Sequence, residues 1–188
     1  MRLFVAAYPS PEAVAHLSAQ LAKLALGQPA EPGRSLRLTR PDTWHVTLAF
    51  IGEVPDDRVD VASGALLGVP IKSAKIRVAG GGRFGRGRFT TVWAGLGGDV
   101  TALRELSAAT RRSLKRAKIP YDHKPFRPHL TLARPADRLS ADELARDLAA
   151  LNAYEGPQWS VDDVRLMRSY LGPEPVYETI TQAPPPRE

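Results

Sequence analysis

Residues 44–52 read Trp-His-Val-Thr-Leu-Ala-Phe-Ile-Gly, and residues 126–134 read Phe-Arg-Pro-His-Leu-Thr-Leu-Ala-Arg. Both stretches contain the same pattern, in which a histidine is followed by an aliphatic residue, a threonine and a leucine. Side chains alternate between the faces of a β-strand, so each histidine shares a face with the threonine two positions later. Each stretch therefore predicts a strand with a polar His-Thr pair on one face and an apolar anchor on the other.

Further strand and helix patterns surround these two stretches. Strands are predicted at 2–8, 36–39, 45–51, 71–79, 89–96, 129–134, 158–171 and 176–181, and helices at 11–26, 55–67, 99–117 and 140–151. Ser10-Pro11 predicts one helix start, and Ser140 with Glu143 three residues later predicts another through a capping box. Because strands often follow one another directly, the pattern favours antiparallel sheets in an α+β fold.

A glycine-rich segment at 80–87 lies between two predicted strands. Gly80, Gly82 and Gly85 fit the G-x-G-x-x-G pattern of dinucleotide-binding proteins. That fingerprint has to open a helix, whereas residues 89–93 have the pattern of a strand. We therefore reject a dinucleotide site and expect a hairpin with a long loop.

The composition favours a folded protein without cysteine chemistry. The chain has 188 residues, is 43% hydrophobic and contains no cysteine, so it can bury a substantial core but cannot form disulfides or thiolate metal sites. The N-terminal apolar stretch 3–8 is too short for a secretory signal, and no segment reaches the roughly 20 apolar residues that cross a bilayer. We expect a soluble, cytoplasmic monomer.

Positive charge is concentrated in two places, and the net charge is +6. The first basic cluster lies in the glycine-rich segment and the second on the predicted helix 99–117; they comprise Arg83, Arg86 and Arg88, and Arg111, Arg112, Lys115, Arg116 and Lys118. Such clusters favour polyanionic partners. For the helical cluster, a merely solvated helix face is the alternative interpretation.

The paired His-Thr motifs suit phosphodiester hydrolysis. Imidazole titrates near pH 6.5, so one neutral ring can accept a proton while a second, protonated ring donates one. The threonine hydroxyls can donate hydrogen bonds to non-bridging phosphate oxygens. Zinc-binding spacings, a G-x-S-x-G nucleophile elbow and a phosphate-binding G-x-x-x-x-G-K-[ST] loop are all missing. The residues indicate acid-base chemistry without a metal or cofactor, and leave open which histidine is the acid.

The two motifs resemble those of the 2H phosphoesterase superfamily. With the N-terminal strand Arg2-Leu3-Phe4-Val5-Ala6, they are similar to the bacterial and archaeal RNA 2′,3′-cyclic phosphodiesterases, formerly named 2′-5′ RNA ligases. The resemblance extends from Arg2 to about Thr179. It implies two pseudo-symmetric halves, each with an antiparallel sheet and flanking helices, around a central cleft. We expect one such bilobal domain at 1–182 and a frayed tail at 183–188.

The resemblance also implies a reaction and a partner. The 2′,3′-cyclic phosphate of an RNA end, for example of a tRNA fragment, or of a cyclic nucleotide would be hydrolysed to a 2′-phosphate. His45 would be the proton donor and His129 the proton acceptor. Two alternatives remain: a non-catalytic RNA- or nucleotide-binding module that uses the same cleft, and an esterase for a small cyclic phosphate such as an ADP-ribose derivative. The presence of both histidines favours catalysis.

Substrate-binding residues are predicted next to the histidines. Thr47 and Thr131 share the faces of His45 and His129. Arg127 lies two positions before His129, so it shares that face if the strand begins before Pro128, and its guanidinium would then clamp a phosphate bidentately. Arg134 lies five positions after it and should face the other way unless the strand bends. Further expectations are a core position for Trp44, base stacking by Phe84 and Phe89, and a place near the cleft for Tyr121 and His123.

Overall fold

The computed structural model describes residues 1–28, 37–86, 89–134, 139–172 and 175–184. Its strands are β1 (Arg2–Ala7), β2 (Arg37–Leu38), β3 (Val46–Glu53), β4 (Ala74–Phe84), β5 (Thr91–Gly98), β6 (His129–Arg134), β7 (Glu155–Val161), β8 (Val164–Tyr170) and β9 (Val176–Ala183). Its α-helices are α1 (Pro11–Leu21), α2 (Val59–Leu67), α3 (Val100–Arg116) and α4 (Ala141–Asn152). The predicted α+β class is confirmed.

The strands form two antiparallel sheets. The first has the order β3-β1-β8-β9 and the second the order β2-β6-β5-β4-β7. Helix α2 packs against β8, β9 and α3, and α3 packs against β3, whereas α1 and α4 pack against strands of the second sheet. We call each sheet with its helices the first half and the second half. One His-Thr motif lies in each half, on β3 and β6.

A continuous apolar core underlies both halves. Leu3 and Val5 of β1, Leu48 of β3, and Leu130 and Leu132 of β6 are all completely buried within it. Burying one leucine stabilises the fold by roughly 1.5–3 kcal/mol, so these strands are firmly anchored. Trp44 is also buried, as predicted, and its Nε1 donates to the carbonyl of Thr39 at 3.1 Å.

Two helix starts follow the sequence prediction closely. The Ser10 hydroxyl accepts a hydrogen bond from the Ala13 amide at 3.2 Å. Ser140 and Glu143 form a reciprocal capping box, in which the Ser140 amide donates to the Glu143 carboxylate at 2.8 Å. These local interactions satisfy amides that have no partner within the helix.

The first helix ends earlier than its apolar spacing predicts. Helix α1 stops at Leu21, and a 3₁₀ turn at Ala25–Gly27 follows. The buried carboxylate of Asp147, on α4, accepts from the amides of Ala25 and Leu26 at 3.0 and 2.8 Å. This long-range interaction competes with a further helical turn.

The strand predicted at 158–171 was wrong as a single element. Strand β7 ends at Val161 and pairs with β4, whereas β8 begins at Val164 and pairs with β1 in the other sheet. Asp162-Asp163 forms the crossing, and Asp163 accepts from Arg165 Nε at 2.9 Å. The buried positions change phase at the crossing, from Trp159 and Val161 to Val164 and Leu166, so the single predicted strand passed over a break in the alternation.

Two further boundaries differ from prediction. Strand β4 continues through the glycine-rich segment to Phe84, so the hairpin loop is shorter than expected; residues 87 and 88 lie outside the described residues. Strand β9 continues to Ala183, which is buried, so the chain is not frayed at that position. Residues 185–188 lie outside the described range.

Candidate active site

The two motifs lie on their strands as the alternation predicts. His45 immediately precedes β3, and His129 is the first residue of β6. Thr47 and Thr131 are partly exposed, whereas the aliphatic residues between and after them are buried. In each motif strand, the buried aliphatic side chains on one face thus fix the position of the His-Thr pair on the other face.

Both imidazoles are fixed by the same backbone contact. Nδ1 of His45 lies 2.7 Å from the carbonyl oxygen of Thr43, and Nδ1 of His129 lies 2.6 Å from that of Arg127. A carbonyl only accepts, so Nδ1 carries the hydrogen in each neutral ring. Nε2 is then the nitrogen that can accept or donate a proton in a reaction.

An aromatic wall surrounds His45. The ring centres of Phe4, Tyr177 and Tyr8 lie 4.8, 5.3 and 5.9 Å from that of the imidazole. Burial lowers the pKa of His45 below its ordinary value of 6.5, and the nearby charge of His129 lowers it further, against the effect of the hydrogen bond to Thr43. His45 is therefore mainly neutral at pH 7 in the free protein.

Two phenols of this wall remain protonated at neutral pH. Burial raises the pKa of Tyr8 to about 12, although the Arg165 guanidinium, 5.0 Å from the ring centre, opposes the shift. Burial also raises the pKa of Tyr177, against the charges of Arg134 and Arg2. Both hydroxyls can therefore donate hydrogen bonds next to His45.

A second aromatic group surrounds His129. Phe84 lies 5.1 Å away in a perpendicular arrangement, and Trp93 lies 6.3 Å away. The rings of Phe84 and Trp93 are 5.3 Å apart. Because Trp93 pairs with Thr131 across neighbouring strands, it supports the motif from β5.

A cavity of about 540 Å³ opens beside Thr47 of the first motif and His129 of the second, whereas His45 and Thr131 are not part of its lining. It is lined from the first half by Thr47 and Phe50, and from the second half by Phe84, Arg127 and His129. The lining also includes Arg111 of α3 and Asp122, Lys124, Pro125 and Phe126 of the segment that leads to β6. The size lies in the range of small-molecule sites and has room for more than a phosphate group.

The other predicted site residues divide into two groups. Arg127 lines the cavity beside His129, and its guanidinium lies 5.7 Å from the Phe84 ring centre. Arg134 is the last residue of β6, so it lies at the opposite end of the motif strand from His129. It is exposed, and its charge opposes the rise in the pKa of Tyr177. Phe89 is exposed, with 74% of its surface accessible, and is outside the cavity lining.

Tyr121 and His123, which were predicted near the cleft, are not among the residues that line the cavity, whereas their neighbours Asp122 and Lys124 are. Tyr121 and His123 contact each other at 4.6 Å between ring centres. The hydrogen bond to the Lys124 amide, with further help from Lys124 and Arg111, lowers the pKa of Asp122. Asp122 therefore places a carboxylate at the cavity.

Several site residues were missed from the sequence. Phe4 shares a face of β1 with Ala6, whose partner in β3 is Thr47, but only the structure gives this register, and Tyr8 follows the end of β1. Arg111 was recognised only as a member of the basic cluster on the predicted helix 99–117. Tyr177 and Lys124 had no signal, since only the packing of distant elements brings them to the motifs.

Neither a metal-ligand cluster nor a membrane-spanning helix is found among the described residues. No three His, Asp or Glu side chains among them cluster as metal ligands. No helix within the described ranges is long and apolar enough to cross a membrane.

Comparison with known proteins identifies similar chains. RNA 2′,3′-cyclic phosphodiesterase of Aeropyrum pernix is 29% identical over 153 residues, covering 80% of this chain and 87% of the relative. The enzyme of the same name from Thermus thermophilus is 30% identical over 191 residues, covering 96% and 88%. The one from Geobacillus stearothermophilus is 31% identical over 148 residues, covering 76% of this chain but 46% of the relative.

Solved structures share the fold. The crystal structure of E. coli LigT with 3′-AMP has a TM-score of 0.73 at 22% identity and covers 96% of this chain and 95% of that chain. Thermus thermophilus TT0787 has a TM-score of 0.70 at 26% identity, covering 97% and 96%. The model of the 2′-5′ RNA ligase superfamily matches residues 16–173. The chain therefore belongs to the 2′-5′ RNA ligase superfamily.

Proposed function

We propose that this protein is an RNA 2′,3′-cyclic phosphodiesterase, which opens the cyclic phosphate of an RNA end or a nucleotide to a 2′-phosphate. One observation carries the proposal. Both imidazoles are fixed through Nδ1 by a carbonyl two positions earlier, one in each half, which leaves the Nε2 atom of each ring for proton transfer. The names of the curated relatives support the choice of an RNA cyclic phosphate.

The reaction needs one base and one acid on opposite sides of phosphorus. In the proposed order, His129 Nε2 takes a proton from a water molecule as its oxygen bonds to phosphorus. The bond from phosphorus to the ribose 3′-oxygen breaks, and His45 Nε2 donates a proton to that oxygen. Thr47 and Thr131 donate hydrogen bonds to the non-bridging oxygens, and Arg127 binds the phosphate charge.

The depressed pKa of His45 bears on this division of roles. A proton donor must be protonated, whereas burial keeps His45 neutral in the free protein. A cyclic phosphate carries a negative charge and will raise the pKa of an imidazole beside it when it binds. The donor role of His45 therefore depends on the substrate bringing that charge into the cleft.

Phosphorus NMR of the product tests activity and regiochemistry together. With a chelator present, wild-type protein should convert a 2′,3′-cyclic nucleotide into the 2′-phosphate. His45→Ala and His129→Ala should each reduce kcat by a factor of hundreds or more, since each removes a proton-transfer group. Wild-type turnover in both variants, or activity only with an added divalent metal, would overturn the proposal.

A substrate with a better leaving group tests the two roles. Nitrophenolate leaves without a proton, so a nitrophenyl phosphodiester needs the base but not the acid. His45→Ala should recover most of its lost activity on this substrate, and His129→Ala should not. The opposite result would exchange the roles of the two histidines.

Three further expectations belong to the same proposal: a monomeric state, a cytoplasmic location, and RNA ends such as those of tRNA fragments as partners. Light scattering during size-exclusion chromatography tests the first. A mass corresponding to more than one 20.5 kDa chain would contradict it.

A further inference from the structure

We propose that Arg111 is a positioning residue that sets the width of the cleft by joining the strand of the first motif to the segment that leads to the second. The inference rests on the proposed function for its kinetic test. Arg111 lies on α3, in the first half, and lines the cavity together with Thr47 and His129.

Its guanidinium bridges two backbone carbonyls. Arg111 Nε donates to the carbonyl of Leu48 at 3.2 Å, and Nη1 donates to the carbonyl of Lys124 at 2.8 Å. Leu48 is the last residue of the first His-Val-Thr-Leu motif. Lys124 precedes His129 in the segment that enters β6. One side chain thus contacts the backbone of both motif regions.

The edge position of β3 explains why these contacts are available. Strand β3 is at the end of its sheet, so the carbonyls on its outer side have no strand partner within the described part of the chain. The Leu48 carbonyl also accepts from the Ser107 hydroxyl at 2.7 Å, and the Phe50 carbonyl accepts from the Asp122 amide at 2.7 Å. The segment before His129 is therefore attached to the edge of β3 at Asp122 directly and at Lys124 through Arg111.

A guanidinium is suited to this task because it is planar and presents its N–H groups in fixed directions. Two carbonyls bound to one such group are held at a defined separation. Proton transfer and in-line attack are sensitive to misplacements of about 1 Å, which can cost on the order of 100-fold in rate. Without Arg111, Thr47 would remain on β3 while His129 could shift relative to it.

The kinetic test compares Arg111→Met and Arg111→Lys with wild type on a 2′,3′-cyclic nucleotide. Arg111→Met should lower kcat by about 10- to 100-fold with a smaller change in KM. Arg111→Lys keeps the charge but not the planar fork, so it should restore only part of the rate. Added guanidinium ion should partly rescue Arg111→Ala. Full activity of Arg111→Met would overturn the proposal.

Two matched controls separate positioning from general stability. Arg104→Met removes an exposed arginine from the same helix and should leave kcat unchanged. Ser107→Ala removes the other donor to the Leu48 carbonyl but breaks no connection to Lys124. A loss of kcat in Ser107→Ala equal to that in Arg111→Met would mean that the Leu48 carbonyl alone matters, which would refute the bridge.

A titration without substrate tests the proposal even if the proposed function fails. The imidazole of His45 can be followed by NMR as a function of pH, and its pKa is depressed by burial and by His129. In Arg111→Met, a wider cleft should weaken both effects and raise that pKa; Arg111→Lys, which keeps the positive charge, should raise it as well, with Arg104→Met unchanged. An unaltered His45 titration in a folded Arg111→Met protein would contradict the bridge, whether or not the wild type opens cyclic phosphates.

Discussion

His45 and His129 occupy different surroundings although their motifs match. His45 lies against Phe4, Tyr8 and Tyr177, whereas His129 lies against rings of the second half. The shared contact from Nδ1 to the preceding backbone orients the rings equally. Burial and the neighbouring charge then lower the pKa of His45. The backbone contact therefore sets which ring nitrogen is free to exchange a proton, and the surroundings set how readily the ring is protonated.

Acidification should destabilise the folded protein through His45. The pKa of His45 in the folded state is below 6.5, its ordinary value, so below about pH 6.5 the unfolded chain binds a proton that the folded chain does not. The free energy of unfolding should therefore fall as pH decreases from 7.5 towards 5. Urea unfolding at both pH values should show a smaller decrease for His45→Gln than for wild type or for His123→Gln, an exposed control. An equal decrease in all three proteins would contradict this assignment.

The motif threonines should contribute to the rate more than to binding. Thr47→Val and Thr131→Val keep the side-chain shape and remove one donor each, so each should reduce kcat by on the order of 100-fold if the hydroxyl stabilises charge that develops in the transition state. Steady-state kinetics on a cyclic nucleotide measures the effect. Thr101→Val, at an exposed position of α3, is the control and should behave as wild type. A rise in KM with unchanged kcat would instead assign the hydroxyls to ground-state binding.

The β4–β5 hairpin supports His129 through close packing between Gly82 of β4 and the indole ring of Trp93 on β5. A Cβ atom at Gly82 of β4 would lie 2.5 Å from Cζ2 of Trp93, so no other residue fits without moving the ring. Trp93 in turn contacts Phe84 and His129. The glycine-rich segment matches a dinucleotide-binding fingerprint in sequence. In the structure, Gly82 of this segment leaves space for the aromatic rings that pack against His129.

Gly82→Ala should therefore damage both stability and activity. Overpacking of this kind costs about 1–3 kcal/mol, and displacement of Trp93 should lower kcat by shifting His129. Gly64→Ala is the matched control, because nothing lies within 4 Å of its added Cβ and it lies within α2. That change should stabilise the protein by roughly 0.5–1 kcal/mol and leave kcat unchanged. Chemical denaturation and kinetics of both variants measure the difference, and wild-type values for Gly82→Ala would refute the close approach.

The charge of the whole molecule favours long anionic ligands. The net charge is +6, and Arg112, Lys115 and Arg116 are exposed on α3, the helix that also supplies Arg111 to the cavity. An RNA longer than one nucleotide carries additional phosphates, and exposed basic side chains on the helix that lines the cavity are candidates to contact them.

Salt dependence separates an RNA track from a solvated helix face. Replacing Arg112, Lys115 and Arg116 by glutamine should reduce the slope of log affinity against log salt for a single-stranded RNA oligonucleotide by up to about two, roughly 0.7 for each phosphate contact. Binding of a cyclic mononucleotide should change little. Fluorescence anisotropy across a salt series measures both. An unchanged slope for RNA would show that this face is only solvated.

The sequence by itself determined the helix caps, the α+β class, and the position of a His-Thr pair on one face of each motif strand. Each of these depends on neighbours within a few residues. Tertiary structure alone decided the rest. Asp147 ends the first helix from more than a hundred residues away, and β7 and β8 separate into different sheets at Asp162. Arg111 joins the first motif to the segment before the second, and Tyr177 packs on His45, because the chain passes repeatedly between the halves. Such contacts leave no periodic signal, since they join segments that are adjacent only after both sheets have formed.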